Sequence, residues 1–433
     1  MDIHQTIAQN RMSSFQWLVV GLTVLLNMLD GFDLMALAFT AKSIREELHL
    51  DGAAIGSLMS AGLFGMAIGS LCLSPLADKF GRRPLLLLGT ALATVGMLLT
   101  YFAGSAFEIG LYRILTGLGV AAILTGTNVL VSEYSSQKWR GLAIAIYASG
   151  FGIGAMLGGM SAVLLQDVYG WRAVFLVGAI LTGAVFLLLF FVLPESVEFL
   201  ISKRPVNAKE RLNKIAVKLG LGSGWELPEI ETKGQNKVAI TRLFEPEYRR
   251  NTLLIWVAFI AISASFYFIS SWTPALLEEA GMPKTQSQTV GMAISVGGTI
   301  GSLIFGFLVS RWAAKNILQL FSILAAAAVI AFVFAGNLGL AIALAILVGG
   351  LINGCITGLY TINPTLYASD FRSTGVGTAI GVGRLGSIVS PTLAGILLDA
   401  GWQKNELYLG TVAVLFIAAC TVHFIKQKIS KAK

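Results

Sequence analysis

Apolar residues along this chain come in runs of about twenty, cut at intervals by short clusters of charge or by Gly and Pro turns. A helix needs about 20 mostly apolar residues to cross a hydrocarbon core of about 30 Å. Twelve runs reach that length, near residues 15–40, 53–75, 85–103, 107–132, 141–165, 171–192, 251–273, 286–310, 316–335, 338–366, 374–398 and 404–426. Between the sixth and seventh lies a polar stretch, Leu193 to Arg250, with eleven Lys and Arg. Inside it, Ala208 to Leu219 has the spacing of an amphipathic helix suited to a membrane interface. The pattern predicts an all-α integral membrane protein: a six-helix bundle over 1–192, a cytoplasmic linker over 193–250, and a second six-helix bundle over 251–433.

Composition agrees with that pattern and excludes a soluble protein. Hydrophobic residues make up 55% of the chain and charged residues 12%, against roughly 25% charged in soluble domains. A net charge of +8 would, taken alone, point to nucleic acid as partner. Its distribution removes that reading. Of the 31 Lys and Arg, 24 fall in segments on the same side as the N-terminus, five in the opposite loops and two within spans. That is the positive-inside signature of cytoplasmic termini facing anionic lipid. The first apolar run contains Asp30 and Asp33 and has no small-residue cleavage site, so it reads as a retained span. Cys72, Cys355 and Cys420 sit singly in apolar stretches, with no disulfide framework or zinc spacing.

The two halves repeat. Ile68-Gly69-Ser70-Leu71 recurs as Ile300-Gly301-Ser302-Leu303, and Arg140-Gly141-Leu142-Ala143-Ile144-Ala145-Ile146 aligns with Thr374-Gly375-Val376-Gly377-Thr378-Ala379-Ile380. Six plus six helices joined by a linker imply two pseudo-symmetric bundles that rock about a central site. The turn Leu76-Ala77-Asp78-Lys79-Phe80-Gly81-Arg82-Arg83 resembles the signature loop of the major facilitator superfamily, with Ser74 where a glycine usually leads, and Arg113-x-x-x-Gly117-x-Gly119 matches a second signature. Asp30-Gly31-Phe32-Asp33, Ser271-Trp272-Thr273-Pro274 and Gly381-Val382-Gly383-Arg384-Leu385-Gly386 are similar to the bacterial aromatic acid:proton symporters, importers of benzoate, hydroxybenzoate or muconate. The resemblance implies the twelve-helix fold, a bacterial inner membrane and an organic acid and protons as partners. Span five has the glycines of the superfamily's antiporters but lacks their Gly-Pro pair, which favours import over export.

Four ionisable side chains lie well inside spans: Asp30, Asp33, Arg113 and Arg384. Each costs about 2.5–3.5 kcal/mol at mid-helix on insertion scales, so function is the default reading; an internal ion pair that only locks helices is the other. Asp30 and Asp33 are spaced i,i+3 and share a helix face, where two carboxylates in low dielectric raise each other's affinity for protons. The resemblance implies that this pair, with Arg113, serves proton coupling. Arg384, about 15 Å from its helix start, falls near the midplane. Its guanidinium is suited to bidentate recognition of a carboxylate, so it is the expected substrate anchor. Trp256, Tyr267, Trp272 and Tyr360 are candidate walls for a ring, and Asn353 is either a ligand contact or an interhelical hydrogen bond. Gly31 admits either a neighbouring helix or the ligand. Asp78, Arg82, Arg83, Glu133 and Arg140 form, as the resemblance implies, a charge lock at the cytoplasmic mouth.

Enzyme chemistry is missing from the sequence. There is no HExxH, GxSxG or P-loop Gly-Lys, and His4, His49 and His423 lie at span ends or termini. No cofactor, metal or nucleic acid is expected, and the chain is read as a monomer. The alternatives kept open are a symporter for another organic anion or a sugar-like solute, or an exporter of the same superfamily.

Overall fold

The computed structural model describes residues 3–227, 240–368 and 371–426, and among them there is no strand. The helices in chain order are α1 (Ile3–Gln9), α2 (Ser14–Leu48), α3 (Gly52–Cys72), α4 (Ser74–Phe80), α5 (Arg82–Phe102), α6 (Ala106–Glu133), α7 (Arg140–Tyr169), α8 (Arg172–Val192), α9 (Val197–Lys203), α10 (Ala208–Lys218), α11 (Arg249–Glu279), α12 (Lys284–Val309), α13 (Ala314–Val333), α14 (Leu338–Ile362), α15 (Arg372–Asp399) and α16 (Lys404–Phe424). Twelve of the described helices are long and apolar enough to cross a membrane, which makes this an all-α multi-pass membrane protein.

Several ends are set by side chains that take up the otherwise unpaired N–H groups of a first turn. Ser105 accepts from the Glu108 N–H at 3.3 Å to start α6, and Asn337 from the Leu340 N–H at 2.8 Å to start α14. Gln403 and Glu406 form a capping box on α16. Two helices outrun their apolar segments. α2 continues past the expected end near 40 to Leu48, because hydropathy marks the edge of hydrocarbon while Lys42, Ile44, Arg45, Glu46 and Glu47 still favour helix. α11 runs through Pro274, where the sequence predicts a stop, to Glu279. Interior proline costs about 3 kcal/mol; here Trp272, Pro274, Ala275, Leu276 and Leu277 are all buried, and their packing carries the helix through.

The Ala208–Lys218 helix forms as expected, but its apolar face does not lie on lipid. Leu212, Ile215 and Ala216 are buried in one cluster with Ile3 and Ile7 of α1, Leu130 of α6, and Leu193, Val197 and Leu200 at and beyond the end of α8. The start of the polar stretch is therefore part of a core.

The chain divides into two compact units: Met1–Ala36, Phe64–Ser161 and Val168–Gly234 in the first, Leu37–Leu63, Ala162–Asp167 and Gln235–Lys433 in the second. The division cuts through α2, α3 and α7. In the first unit α5 packs on α6 and α8; in the second α13 packs on α14 and α16, the equivalent positions of the repeat.

Within each unit, long helices meet backbone to backbone. A Cβ built on Gly154 of α7 would lie 1.9 Å from the Met28 carbonyl oxygen of α2, and one on Gly31 would lie 2.0 Å from that of Phe151. In the second unit Gly297, Gly301 and Gly349 bring α12 and α14 together in the same way, each 2.0 Å from a facing carbonyl. Gly301, one of the repeated residues, has Gly69 as its counterpart, where a Cβ would meet that of Ala121 at 2.7 Å. Gly154→Ala is expected to destabilise the protein by about 1–3 kcal/mol through overpacking. Gly21→Ala, at a position with nothing within 4 Å, is expected to be neutral or slightly stabilising. Thermal unfolding of the purified variants in detergent compares the two.

Candidate functional site

Asp33 and Arg113, 80 residues apart, meet in the first unit. Both are buried, at 6% and 3% exposure. Arg113 donates from Nη1 to Asp33 Oδ1 at 2.5 Å, from Nη2 to Oδ2 at 2.8 Å, and from Nη2 to the Asp33 carbonyl at 3.3 Å. Among the described residues its Nε has no hydrogen-bond partner. This is the bidentate fork geometry that makes arginine–carboxylate pairs strong.

Asp30, one turn earlier, is held differently. Asn27 donates to the Tyr147 carbonyl of α7 at 2.9 Å. The Tyr147 hydroxyl lies 3.2 Å from Thr127 Oγ1 of α6, and Thr127 donates in turn to the Ile123 carbonyl at 2.8 Å. The Asp30 charge acts on that tyrosine. The two aspartates share a helix face, as the i,i+3 spacing requires, and the guanidinium of Arg113 is bonded to Asp33. Gly31 between them is the point of closest approach to α7, so its lack of a side chain is used by a neighbouring helix.

Arg384, in α15 of the second unit, is half-buried, and among the described residues its guanidinium has no hydrogen bond or ion pair. Its neighbours on the helix are glycines. Gly383 sits against the Phe259 side chain, where a Cβ would be 3.0 Å away, and Gly386 against the Ile260 carbonyl at 2.2 Å. Phe259 makes an edge-on contact with Tyr360, centroids 5.8 Å apart. The helix that carries Arg384 thus packs, through Gly383, on Phe259, which in turn contacts Tyr360. Asn353 of α14 rests on Gly298, its amide nitrogen 2.4 Å from where a Cβ would be.

The remaining aromatic candidates make other contacts. Trp272 is 1% exposed and its indole N–H donates to the Pro391 carbonyl at 3.0 Å. Trp256 packs edge-on against Phe244, its buried indole N–H without a partner among the described residues. Tyr267 contacts Phe266.

At the other end of the first unit the arginines of the signature loop serve one buried carboxylate. Glu195, 3% exposed, accepts from the backbone N–H groups of Arg82 at 2.7 Å and Arg83 at 3.0 Å, the first two of α5. Arg83 reaches back to the Leu193 carbonyl at 2.9 Å and that of Phe190 at 2.5 Å, closing the C-terminus of α8. Glu133 accepts from the Ser196 hydroxyl, and Arg140 and Glu133 line a cavity of about 350 Å³ with Ile7, Ser132 and Glu198. Burial, with the carboxylates of Glu133 and Glu195 nearby, pushes the Tyr134 phenol well above its ordinary value near 10. It therefore stays a hydrogen-bond donor, to the Glu195 carbonyl at 2.6 Å. The Asp78 side chain lies outside the described residues. Glu195 escapes a reading of motifs, although Leu193-Pro194-Glu195-Ser196, a stop followed by a capping serine, marks its place. Among the described residues no cluster of three or more His, Cys, Asp or Glu could hold a metal.

The family model of the Major Facilitator Superfamily matches residues 23–391. The chain belongs to this superfamily. Within it the chain is 31% identical to the gallate transporter of Pseudomonas putida, over 98% of this chain and 94% of that one. It is 29% identical to the 4-hydroxybenzoate transporter PcaK of Pseudomonas aeruginosa, covering 100% and 97%. It is 31% identical to the 3-(3-hydroxy-phenyl)propionate transporter of Escherichia coli, covering 97% and 96%. These are relatives of the aromatic acid:proton symporter type, as the motifs of α2, α11 and α15 indicate. A solved bacterial homolog of the human lysosomal transporter Spinster superposes with a TM-score of 0.73 at 16% identity, over 95% of this chain and 97% of that one, which shows the shared fold. The protein is a membrane transporter of small organic acids and not an enzyme.

The Asp33–Arg113 geometry separates a structural from a functional contribution. Asp33→Asn leaves a guanidinium buried without its counter-charge and is expected to cost about 3–5 kcal/mol, whereas Asp33→Leu with Arg113→Met should recover most of that stability. Thermal unfolding of single and double variants measures it; a stable double variant that still fails to transport assigns the pair a role beyond holding α2 to α6.

Proposed function

We propose that this protein imports an aromatic or related organic acid anion together with protons, by alternating access between two six-helix halves, 1–192 and 251–433, joined by the 193–250 linker. The observation that carries the reading is Arg384: a half-buried guanidinium inside an apolar helix, without a counter-charge among the described residues. An intramembrane charge of this kind costs about 2.5–3.5 kcal/mol, and a bound carboxylate would offset that cost through two parallel N–H···O bonds. Tyr360, in contact with the Phe259 ring on which Gly383 packs, is proposed to supply ring-sized apolar contact, and Asn353 a polar one. Trp256, Tyr267 and Trp272 are carried as further candidate contacts of the ring, Trp272 with its N–H engaged by the Pro391 carbonyl.

Asp30 is assigned the transported proton and Asp33 the permanent partner of Arg113. The assignment rests on Arg113, whose two bonds commit the Asp33 carboxylate to a partner within the fold. An anion on Arg384 with one proton on Asp30 leaves little net charge to move, so the loaded carrier can reorient. One proton per monoanion makes the cycle electroneutral and driven by the pH gradient; a second would add about 2.3 kcal/mol per 100 mV. The superfamily loop with Asp78, Arg82, Arg83, Glu133 and Arg140 gates the cytoplasmic mouth, anchored on Glu195. The basic-residue bias supports cytoplasmic termini in a bacterial inner membrane, and a monomer completes the reading.

Proteoliposomes loaded at alkaline pH and diluted into acid test this with labelled benzoate, 4-hydroxybenzoate, protocatechuate, cis,cis-muconate and a sugar. Accumulation of one acid that vanishes when the gradient is collapsed is the expected result. Movement of the sugar instead, or a response of efflux alone, would overturn the assignment of substrate or direction. Arg384→Ala should weaken acid binding by about 10–100-fold, the equivalent of one charge-assisted hydrogen bond, and Arg384→Lys should recover only part of it. Equilibrium binding to the folded variants reads this without transport.

A further inference from the structure

The first turn of α3 and the last turn of α15 meet in the second unit through a contact the transport site does not use. Asp399, the last residue of α15, accepts from the Gly52 N–H and the Ala53 N–H, one on each carboxylate oxygen, both at 2.7 Å. Asp51 accepts from the Ala54 N–H at 2.7 Å, and the Ile55 N–H reaches the Asp51 carbonyl. The orphan N–H groups of Gly52, Ala53 and Ala54 in the first turn of α3 are therefore satisfied, two of them by another helix. The fit depends on glycine. A Cβ on Gly395 would lie 2.0 Å from the Gly52 carbonyl oxygen, and one on Gly56 2.3 Å from that of Pro391. Deeper along the same seam Thr392 donates to Ser60 at 2.8 Å.

The direction of the helix dipoles gives this carboxylate a preference. A negative charge is disfavoured at the C-terminus of a helix and favoured at an N-terminus. Asp399 stands at the unfavourable end of α15 and is compensated by the favourable end of α3, so it gains from the seam only while the seam is shut. The ion pairs that flank it, Lys42–Glu278 at 3.4 Å and Arg45–Glu279, have side chains 15–32% exposed, and pairs of that sort contribute little individually.

We propose that Asp399 is a gating residue: its carboxylate, set on the N-terminus of α3 by the Gly52–Gly395 contact, latches the transporter closed to the outside. The latch lies at the end of the helices that the positive-inside orientation places outside, and it rests on that orientation but not on the identity of the substrate or the use of protons.

The test is labelling of a Ser60→Cys protein, with the three native cysteines replaced by serine, by a membrane-impermeant thiol reagent added to right-side-out vesicles. Ser60 is 6% exposed, so labelling reports opening of the seam. Asp399→Ala, which removes a two-bond cap, is expected to raise the labelling rate about tenfold, and Asp399→Asn, which keeps one acceptor, by less. Gly395→Ala leaves the charge in place but forces the backbones apart, and should raise it as well; a monodisperse elution profile establishes that each variant is folded. Equal rates in folded Asp399→Ala and its parent would overturn the latch. Labelling only from the inner face would overturn the orientation instead, and a failure of acid uptake would leave the latch result standing.

Discussion

In a bilayer, helices have no hydrophobic drive toward one another, because lipid tails are as apolar as leucine, so association depends on how closely backbones can approach. Here that constraint is met by glycine at α2–α7, α12–α14 and α11–α15, with carbonyl oxygens occupying the space of the missing side chains. The charged residues described above sit beside close approaches of this kind, the α3–α15 contact among them. Asp30 and Asp33 flank Gly31, Arg384 stands between Gly383 and Gly386, and Asp399 closes on Gly52 beside Gly395. Glycine lets a charged side chain sit at a zero-clearance crossing, where the backbone positions it.

Against this frame the buried charges differ in what balances them. Arg113 is balanced within the fold by Asp33, and separating the two would strand a charge. Arg384 has no internal balance among the described residues. The same residue type is thus ion-paired in one half and without such a pair among the described residues in the other, and the repeat makes the contrast legible: where α15 carries Arg384, the aligned position of α7 is Gly150, packed on the Val24 carbonyl and the Asn27 side chain.

The helices were readable because hydrocarbon imposes a length and a composition, and twelve runs of the right length became twelve helices with ends mostly within a few residues. The exceptions are instructive. α2 and α11 overrun because the helix does not end where hydrocarbon does, and α10 turned inward because amphipathicity says that a face must be buried, not what buries it. Buried charges could be named from sequence for the same reason of solvation. Their partners could not, since i,i+3 spacing places Asp30 and Asp33 on a face without saying which one Arg113 takes. Glu195 and Asp399 were invisible because a carboxylate just outside a span looks like ordinary loop polarity until the backbone N–H groups it caps are brought to it from more than a hundred residues away.

The length of α2 has a consequence beyond its fold. Its 35 residues extend about 52 Å at 1.5 Å per residue, more than the roughly 40–45 Å of a whole bilayer with its headgroups. Its last turns, carrying Lys42, Arg45 and Glu46, therefore stand in the headgroup layer or the water beyond it. Charges there are screened over about 8 Å at physiological ionic strength, while Asp33 and Arg113, farther down the same helix bundle, are not. The helix that carries the solvent-shielded Asp33 therefore also carries charges exposed to the ionic strength of the medium at its end.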